Sequence, residues 1–225
     1  GPHDFRLRAG EGEVTIDLTL RSQREPVIHG RDGVSQKSEG AGRASHYYSL
    51  TRLKTEGTVR IGKTTHSVSG LTWFDHEWAT NQLAAHQTGW DWFSLQFDNG
   101  AELMIFQIRT KDGGRDPYSS GTWIAPDGST RKIDLADFTL EAVEWWPSPK
   151  TKGRYPVVWK ISIPSLELAL TTRARFSEQE LAAEPFSYWE GTIAADGQLG
   201  KSPLHGKGYL EMTGYAGGIV GMQAK

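Results

Sequence analysis

The residues best equipped for chemistry gather in one short stretch, Leu71-Thr72-Trp73-Phe74-Asp75-His76-Glu77-Trp78, followed after a connector by Gly89-Trp90-Asp91-Trp92-Phe93. On an extended strand Trp73, Asp75 and Glu77 share one face, and Phe74, His76 and Trp78 share the other. The two carboxylates are thereby paired and the histidine is set among aromatic rings. An imidazole inside an aromatic cavity can act as a general acid or base, because modest burial moves its ordinary pKa of about 6.5. The plainer alternative is a hydrogen-bonded histidine at a strand end. Asp75, His76 and Glu77 are the candidate catalytic residues, and no metal is expected, since consecutive strand residues cannot all converge on one ion. Asp91 and Glu102 read as solvent-facing strand residues or hairpin supports.

The hairpin over 90–109 has two unlike faces. Phe93, Leu95 and Phe97 form an apolar row, Trp90, Trp92, Ser94 and Gln96 a mixed one, and Leu103, Ile105, Gln107 and Arg109 share a face on the return strand. An aromatic face with a few amides suits a barrel lumen holding a large apolar ligand, with ordinary core and surface as the alternative. Trp73, Trp78, Trp90, Trp92, Gln107 and Arg109 are accordingly the candidate ligand-binding residues. Arg109 is expected to pair with a carboxylate such as Glu77 or to lie at the rim in water. Trp145-Trp146-Pro147-Ser148-Pro149 with Tyr155-Pro156 reads as cover for a sheet edge or a barrel end, or else as a carbohydrate-stacking or partner-contact loop.

These side chains must be carried by strands, because the dominant period along the chain is two. Glu13-Val14-Thr15-Ile16-Asp17-Leu18-Thr19-Leu20 alternates polar and apolar residues, and similar runs cover 46–53, 56–62, 66–76, 90–98, 101–109, 120–126, 138–145, 156–163, 166–173, 187–194 and 206–213. Asp98-Asn99-Gly100 predicts a type I′ hairpin turn, and Pro126-Asp127-Gly128 reads likewise. Only 79–87 and 177–184 look briefly helical, and 24–45 reads as a long loop. Glu56-Gly57-Thr58-Val59 followed by Ser69-Gly70-Leu71-Thr72-Trp73-Phe74-Asp75 resembles Glu190-Gly191-Thr192-Ile193 followed by His205-Gly206-Lys207-Gly208-Tyr209-Leu210-Glu211, which suggests an internal duplication. The predicted class is all-β, a C-terminal antiparallel barrel over 88–216 preceded by the end of a second, related barrel over 1–80, with 217–225 as a tail.

Composition narrows the function. Lys plus Arg number 25 against 27 Asp plus Glu, so no positive field exists to draw nucleic acid. Apolar runs such as Leu103-Met104-Ile105-Phe106 are far short of a spanning helix. No cysteine is present, which removes disulfides, thiolate metal sites and a cysteine nucleophile. Walker, Rossmann, His-Glu-x-x-His and Gly-x-Ser-x-Gly patterns are missing too, and no cofactor is expected.

The series Gly70 to Trp78, Gly89 to Phe93, Tyr188-Trp189-Glu190-Gly191 and Gly208-Tyr209-Leu210-Glu211-Met212-Thr213-Gly214-Tyr215 resembles the AttH-like, lipocalin-like family of predicted secreted proteins. That family is related to the carotenoid 1,2-hydratases and, more distantly, to fungal Diels-Alder cyclases. The resemblance implies two consecutive lipocalin-type barrels and a periplasmic or secreted location, with a lipid anchor in a segment outside this chain as one form of it. It also implies that 1–80 is completed by a missing N-terminal half, the second barrel or another copy of the chain. The leading functional expectation is binding of an extended apolar lipid or isoprenoid. The alternatives are a cofactor-independent hydratase, isomerase or cyclase, and a structural subunit of the envelope. His76 and Trp78 match a functional His-x-Trp of the hydratases, whose acid on the strand after Trp-x-Trp is here Gln107, with Ile105 at the nearby tyrosine position. An amide cannot deliver a proton, so no carotenoid hydration is expected, no other acid being evident on that face.

Overall fold

The computed structural model describes residue 1 and residues 3–80, 83–182 and 187–217. The expected tail lies, after Gly217, outside the described residues. Strands in chain order are β1 (Phe5–Glu11), β2 (Val14–Ser22), β3 (Val27–Ile28), β4 (Val34–Gln36), β5 (Ala44–Ile61), β6 (Thr64–Trp78), β7 (Gln87–Phe97), β8 (Glu102–Thr110), β9 (Ser120–Ile124), β10 (Thr130–Asp134), β11 (Thr139–Pro147), β12 (Arg154–Ile163), β13 (Leu168–Ala174), β14 (Glu180–Ala182), β15 (Ser187–Leu199) and β16 (Ser202–Thr213). The fold is all-β, as the period-two pattern requires, and it divides into a unit of 1–28 with 47–77 and a unit of 29–46 with 78 onward.

In the first unit β1, β2, β5 and β3 lie side by side, and β6 also pairs with β5. Phe5, Leu7 and Ala9 stand opposite Leu20, Leu18 and Ile16, and Ile16 and Val14 stand opposite Val59 and Ile61, so one face is continuously apolar. It is covered at one end, where Leu20, Leu50 and Leu53 pack with Leu18 and Phe74, while Val14 and Ile61 remain 47% and 56% exposed. Arg6 and Arg8 hold Asp17 on the polar face, at 2.9 and 3.1 Å.

The second unit carries one antiparallel sheet ordered β10-β9-β8-β7-β16-β15-β13-β12-β11, with β14 on β15. Ile133 on β10 and Leu140 on β11, at opposite ends of that order, belong to the same buried core as Phe93, Trp159 and Trp189. A sheet whose two edges feed one core must curl around it, which is the lipocalin-like arrangement. Phe93 meets Trp159 edge to face at 5.6 Å, and burial of such a ring contributes roughly 1.5–3 kcal/mol. On the other face of β8 and β9 lies the segment 29–46, with Lys37 Nζ 4.1 Å from the Phe106 ring and His29 Nδ1 2.9 Å from Thr122 Oγ1.

Several local expectations are corrected. Residues 46–53 and 56–62 form one strand, β5, and the supposed loop 24–45 contains β3 and β4, two elements too short for a periodic signal. No helical turn is found in the described parts of 79–87 or 177–184, and the second contains β14. At Asp98-Asn99-Gly100 only Gly100 has a positive φ, 86°, and Phe97 N donates to Ala101 O at 2.9 Å. This longer turn with a glycine bulge replaces the type I′ turn, in which Asn99 would also need a positive φ. The suggested duplication gains a further likeness: the hairpins β5–β6 and β15–β16 both turn on Gly-Lys, Gly62-Lys63 and Gly200-Lys201, with glycine φ of 58° and 60°.

Candidate functional site

Asp75 lies on β6 in the first unit. Its carboxyl accepts hydrogen bonds from Tyr47 Oη at 2.9 Å, Trp73 Nε1 at 2.6 Å and Ser49 Oγ. The alternation of β6 puts Trp73 beside Asp75, and the alternation of β5 brings Tyr47 and Ser49, both almost fully buried, to the same place. Removal from water pushes the Asp75 carboxyl above its ordinary 3.8. The bonds from Ser49, Trp73 and Tyr47 oppose that rise without cancelling it, and the Glu77 charge adds to it. This group holds its proton at higher pH than a free carboxylic acid, and three donors stand ready for the anion once the proton has left.

His76 occupies the other face. Its Nδ1 lies 3.0 Å from Tyr48 Oη, its ring meets Tyr48 edge on at 5.1 Å and Phe74 at 6.4 Å, and the residue is exposed. The expected aromatic neighbours are present, but they flank the imidazole instead of enclosing it. The triplet is therefore split, with Asp75 and Glu77 on one side of β6 and His76 on the other. Trp78, 49% exposed, stacks on His46 at 5.2 Å within the second unit.

Inside the second unit the largest correction concerns Asp91. Far from facing solvent, it is fully buried, as is Glu102. Asp91 continues the apolar row Phe93, Leu95, Phe97 and stands directly opposite Gln107 in the ladder. Gln107 Nε2 donates to Asp91 Oδ2 at 2.8 Å and Tyr215 Oη to Asp91 Oδ1 at 2.9 Å. Arg109 Nε lies 3.2 Å from Asp91 Oδ2, but its N–H is not aimed along that line, so the contact is ionic and not a formed hydrogen bond. Arg109 thus meets the expectation of a carboxylate partner, and that partner is Asp91. An acid is present on the Gln107 face after all. Gly89 makes room for the arginine: a Cβ there would come 2.3 Å from Thr213 O and 2.7 Å from Arg109 Nη2. Burial beside the Asp91 charge pushes the Tyr215 hydroxyl far up, so it stays a donor through the neutral range.

Trp90 and Trp92 are half-buried on the face opposite Asp91 and Phe93, where Trp90 Nε1 donates to Glu211 Oε1 at 2.6 Å and its ring meets Tyr188 at 6.5 Å. The strand period should have separated Asp91 from these tryptophans. What the sequence did not convey is that Tyr215, 124 residues away, would reach Asp91. Glu180 was likewise missed: Ser148, Thr151 and Tyr155 all donate to it and pin the 148–153 tip. Among the described residues no group of three or more His, Asp or Glu is placed to hold a metal ion, and no helix is long and apolar enough to cross a membrane.

Comparison with known proteins gives these arrangements a context. The AttH-like family model matches residues 1–215. A crystal structure assigned to AttH from Nitrosomonas europaea is 29% identical, covering 95% of this chain and 65% of its own, with a TM-score of 0.87. Kievitone hydratase from Nectria haematococca, 21% identical over 94% of this chain and 65% of its own with a TM-score of 0.77, shares the fold. The dehydratase asqC of Emericella nidulans is 26% identical over 223 residues, 93% of this chain and 61% of the enzyme. The chain spans less than two thirds of each of these relatives.

Proposed function

The chain belongs to the AttH-like family, and from that membership we propose that it adds water to, or removes water from, an extended apolar molecule such as an isoprenoid or polyene, by proton transfer without a cofactor. The observation that carries this reading is the Asp75 carboxyl, raised by loss of water yet surrounded by the hydroxyls of Tyr47 and Ser49 and the indole N–H of Trp73. In the hydration direction Asp75 gives its proton to one alkene carbon, water adds to the other, and the proton released by that water restores the acid. Dehydration runs the same steps backwards, with Asp75 protonating the departing hydroxyl. Glu77 raises Asp75 by its charge, and His76 with Tyr48 forms a separate pair on the opposite face. The dehydratase and hydratase among the relatives support the reaction class.

Carriage of the same molecule without reaction is the second reading, favoured by the aromatic interior of the second unit around Phe93, Trp159 and Trp189. We further propose work in the periplasm or outside the cell, and completion of the half-covered apolar face of the first unit by further strands, from the same protein or from another copy. The test of function is turnover of a panel of acyclic isoprenoid alcohols and polyenes. Asp75→Asn, nearly isosteric but without the proton, should lower it roughly 100-fold or more and remove from its pH profile the fall in turnover that follows deprotonation of Asp75 as pH rises. A folded Asp75→Asn variant with full turnover, alongside an inactive His76→Ala, would move the chemistry to the other face of β6.

A further inference from the structure

We propose that Asp91, Gln107, Arg109 and Tyr215 form a second site, a buried polar anchor that takes a hydroxyl group carried at the end of an apolar molecule. A carboxylate can only accept, so Gln107 must turn its Nε2 toward Asp91, and this fixes the other end of the amide. Gln107 is 6% exposed, and among the described residues its Oε1 has no hydrogen-bond partner. A buried acceptor left open is costly and marks a place where a donor belongs.

Apart from Arg109 Nε, whose N–H is also left without an acceptor among the described residues, the remaining groups are already engaged. Tyr215 donates to Asp91, Arg109 donates to Thr213 O, and the guanidinium lies 3.9 Å from the Tyr215 ring. What the cluster offers is one open acceptor, Gln107 Oε1, and one open donor, Arg109 Nε–H, around an Asp91 charge already balanced by the guanidinium, a setting that suits a neutral hydroxyl, which both donates and accepts. The neighbours define the rest of the ligand. Phe93 and Ile105 adjoin the pair on the same face of the hairpin, Met212 stands opposite Asp91, and the Tyr155 and Trp145 rings lie 5.6 and 6.1 Å from Tyr215. An alcohol with an aliphatic or aromatic body satisfies both halves of this description. The inference does not depend on chemistry at Asp75, because it concerns another unit and is read by binding alone.

Farnesol and farnesyl methyl ether share one apolar body and differ in the O–H. Their affinities can be compared by displacement of N-phenyl-1-naphthylamine from the whole chain. Farnesol should bind about tenfold more tightly, the effect of one hydrogen bond to an otherwise open buried acceptor. Gln107→Met, similar in length but without the acceptor, should reduce that preference to about twofold or less while leaving the ether within about threefold. Gln107→Asn, which retains an amide but draws it back by one methylene, should have the same effect and serves if the methionine variant does not fold. Equal affinities in the unaltered protein would assign the open acceptor to a buried water and overturn the proposal. Failure of both probes to bind, or a preference that survives in either folded variant, would overturn it as well.

Discussion

Deleting the Asp91 carboxylate is a severe perturbation, because the carboxylate is fully buried and the groups it serves are buried or largely so. Asp91→Ala takes the acceptor from Gln107 Nε2 and Tyr215 Oη and the counter-charge from Arg109, whose side chain is 20% exposed. Breaking a buried pair by removing one partner costs about 3–5 kcal/mol, against about 0–1 kcal/mol for a surface pair. The partial exposure of Arg109 places its share toward the lower figure, while the Tyr215 hydroxyl adds about 1 kcal/mol or more. A total of about 4 kcal/mol is a large part of the 5–15 kcal/mol typical of a domain. Arg109→Met should cost less, about 2 kcal/mol, since Asp91 keeps two donors. The double variant should lose at least about 1 kcal/mol less than the sum, the signature of direct coupling. Urea unfolding followed by tryptophan fluorescence, compared at constant m-value, supplies all four corners of the cycle. A cost below about 1 kcal/mol for Asp91→Ala, or additivity within about 0.5 kcal/mol, would refute a buried, coupled cluster.

Glu180 supplies a pH test. Burial would raise its carboxyl, but the donors Ser148, Thr151 and Tyr155 outweigh that and hold it below its ordinary 4.5. The folded state therefore binds this proton less readily than the unfolded chain, and the associated stability is complete above 4.5 and lost as pH falls through the lowered value. Glu180→Gln should flatten the decline in urea midpoint between about pH 5 and 3, and an unchanged slope would remove Glu180 from the acid transition. Gly89→Ala, with a Cβ forced against Thr213 O, should lower stability by about 2 kcal/mol or more, and an unaltered melting temperature would show that the backbone yields there freely. Because Trp90 and Trp92 stand on the face away from Asp91, Trp90→Phe with Trp92→Phe should leave farnesol affinity within about threefold. A loss of tenfold or more would return those two rings to the binding surface.

Much of this architecture is legible from alternation alone. The run Glu13 to Leu20 gives β2 its two faces, and Trp73, Asp75 and Glu77 separate from Phe74, His76 and Trp78 as the strand period demands. The same rule placed Gln107 and Arg109 on one face but stopped at the strand. Whether a face is buried depends on what packs against it, and from sequence alone Asp91 reads as solvent-facing because acidic residues usually are. Its partners come from the next strand and from Tyr215 beyond the last one, contacts that no local pattern encodes. The short β3, β4 and β14 escaped for another reason: two or three residues carry no periodicity, and each is held by a longer neighbour. The Gly-Lys turns were visible in the sequence, yet their equivalence emerges only when both hairpins are seen to reverse on a positive-φ glycine.

The most direct test of water addition or removal is isotopic. Linalool, an acyclic tertiary isoprenoid alcohol, incubated with the protein in oxygen-18 water should acquire the label as water leaves and returns, read by mass spectrometry. The account predicts enzyme-dependent incorporation that Asp75→Asn slows roughly 100-fold or more. Incorporation at the same rate in a folded Asp75→Asn variant, or none above the buffer rate for linalool and every other alcohol of the panel, would contradict it.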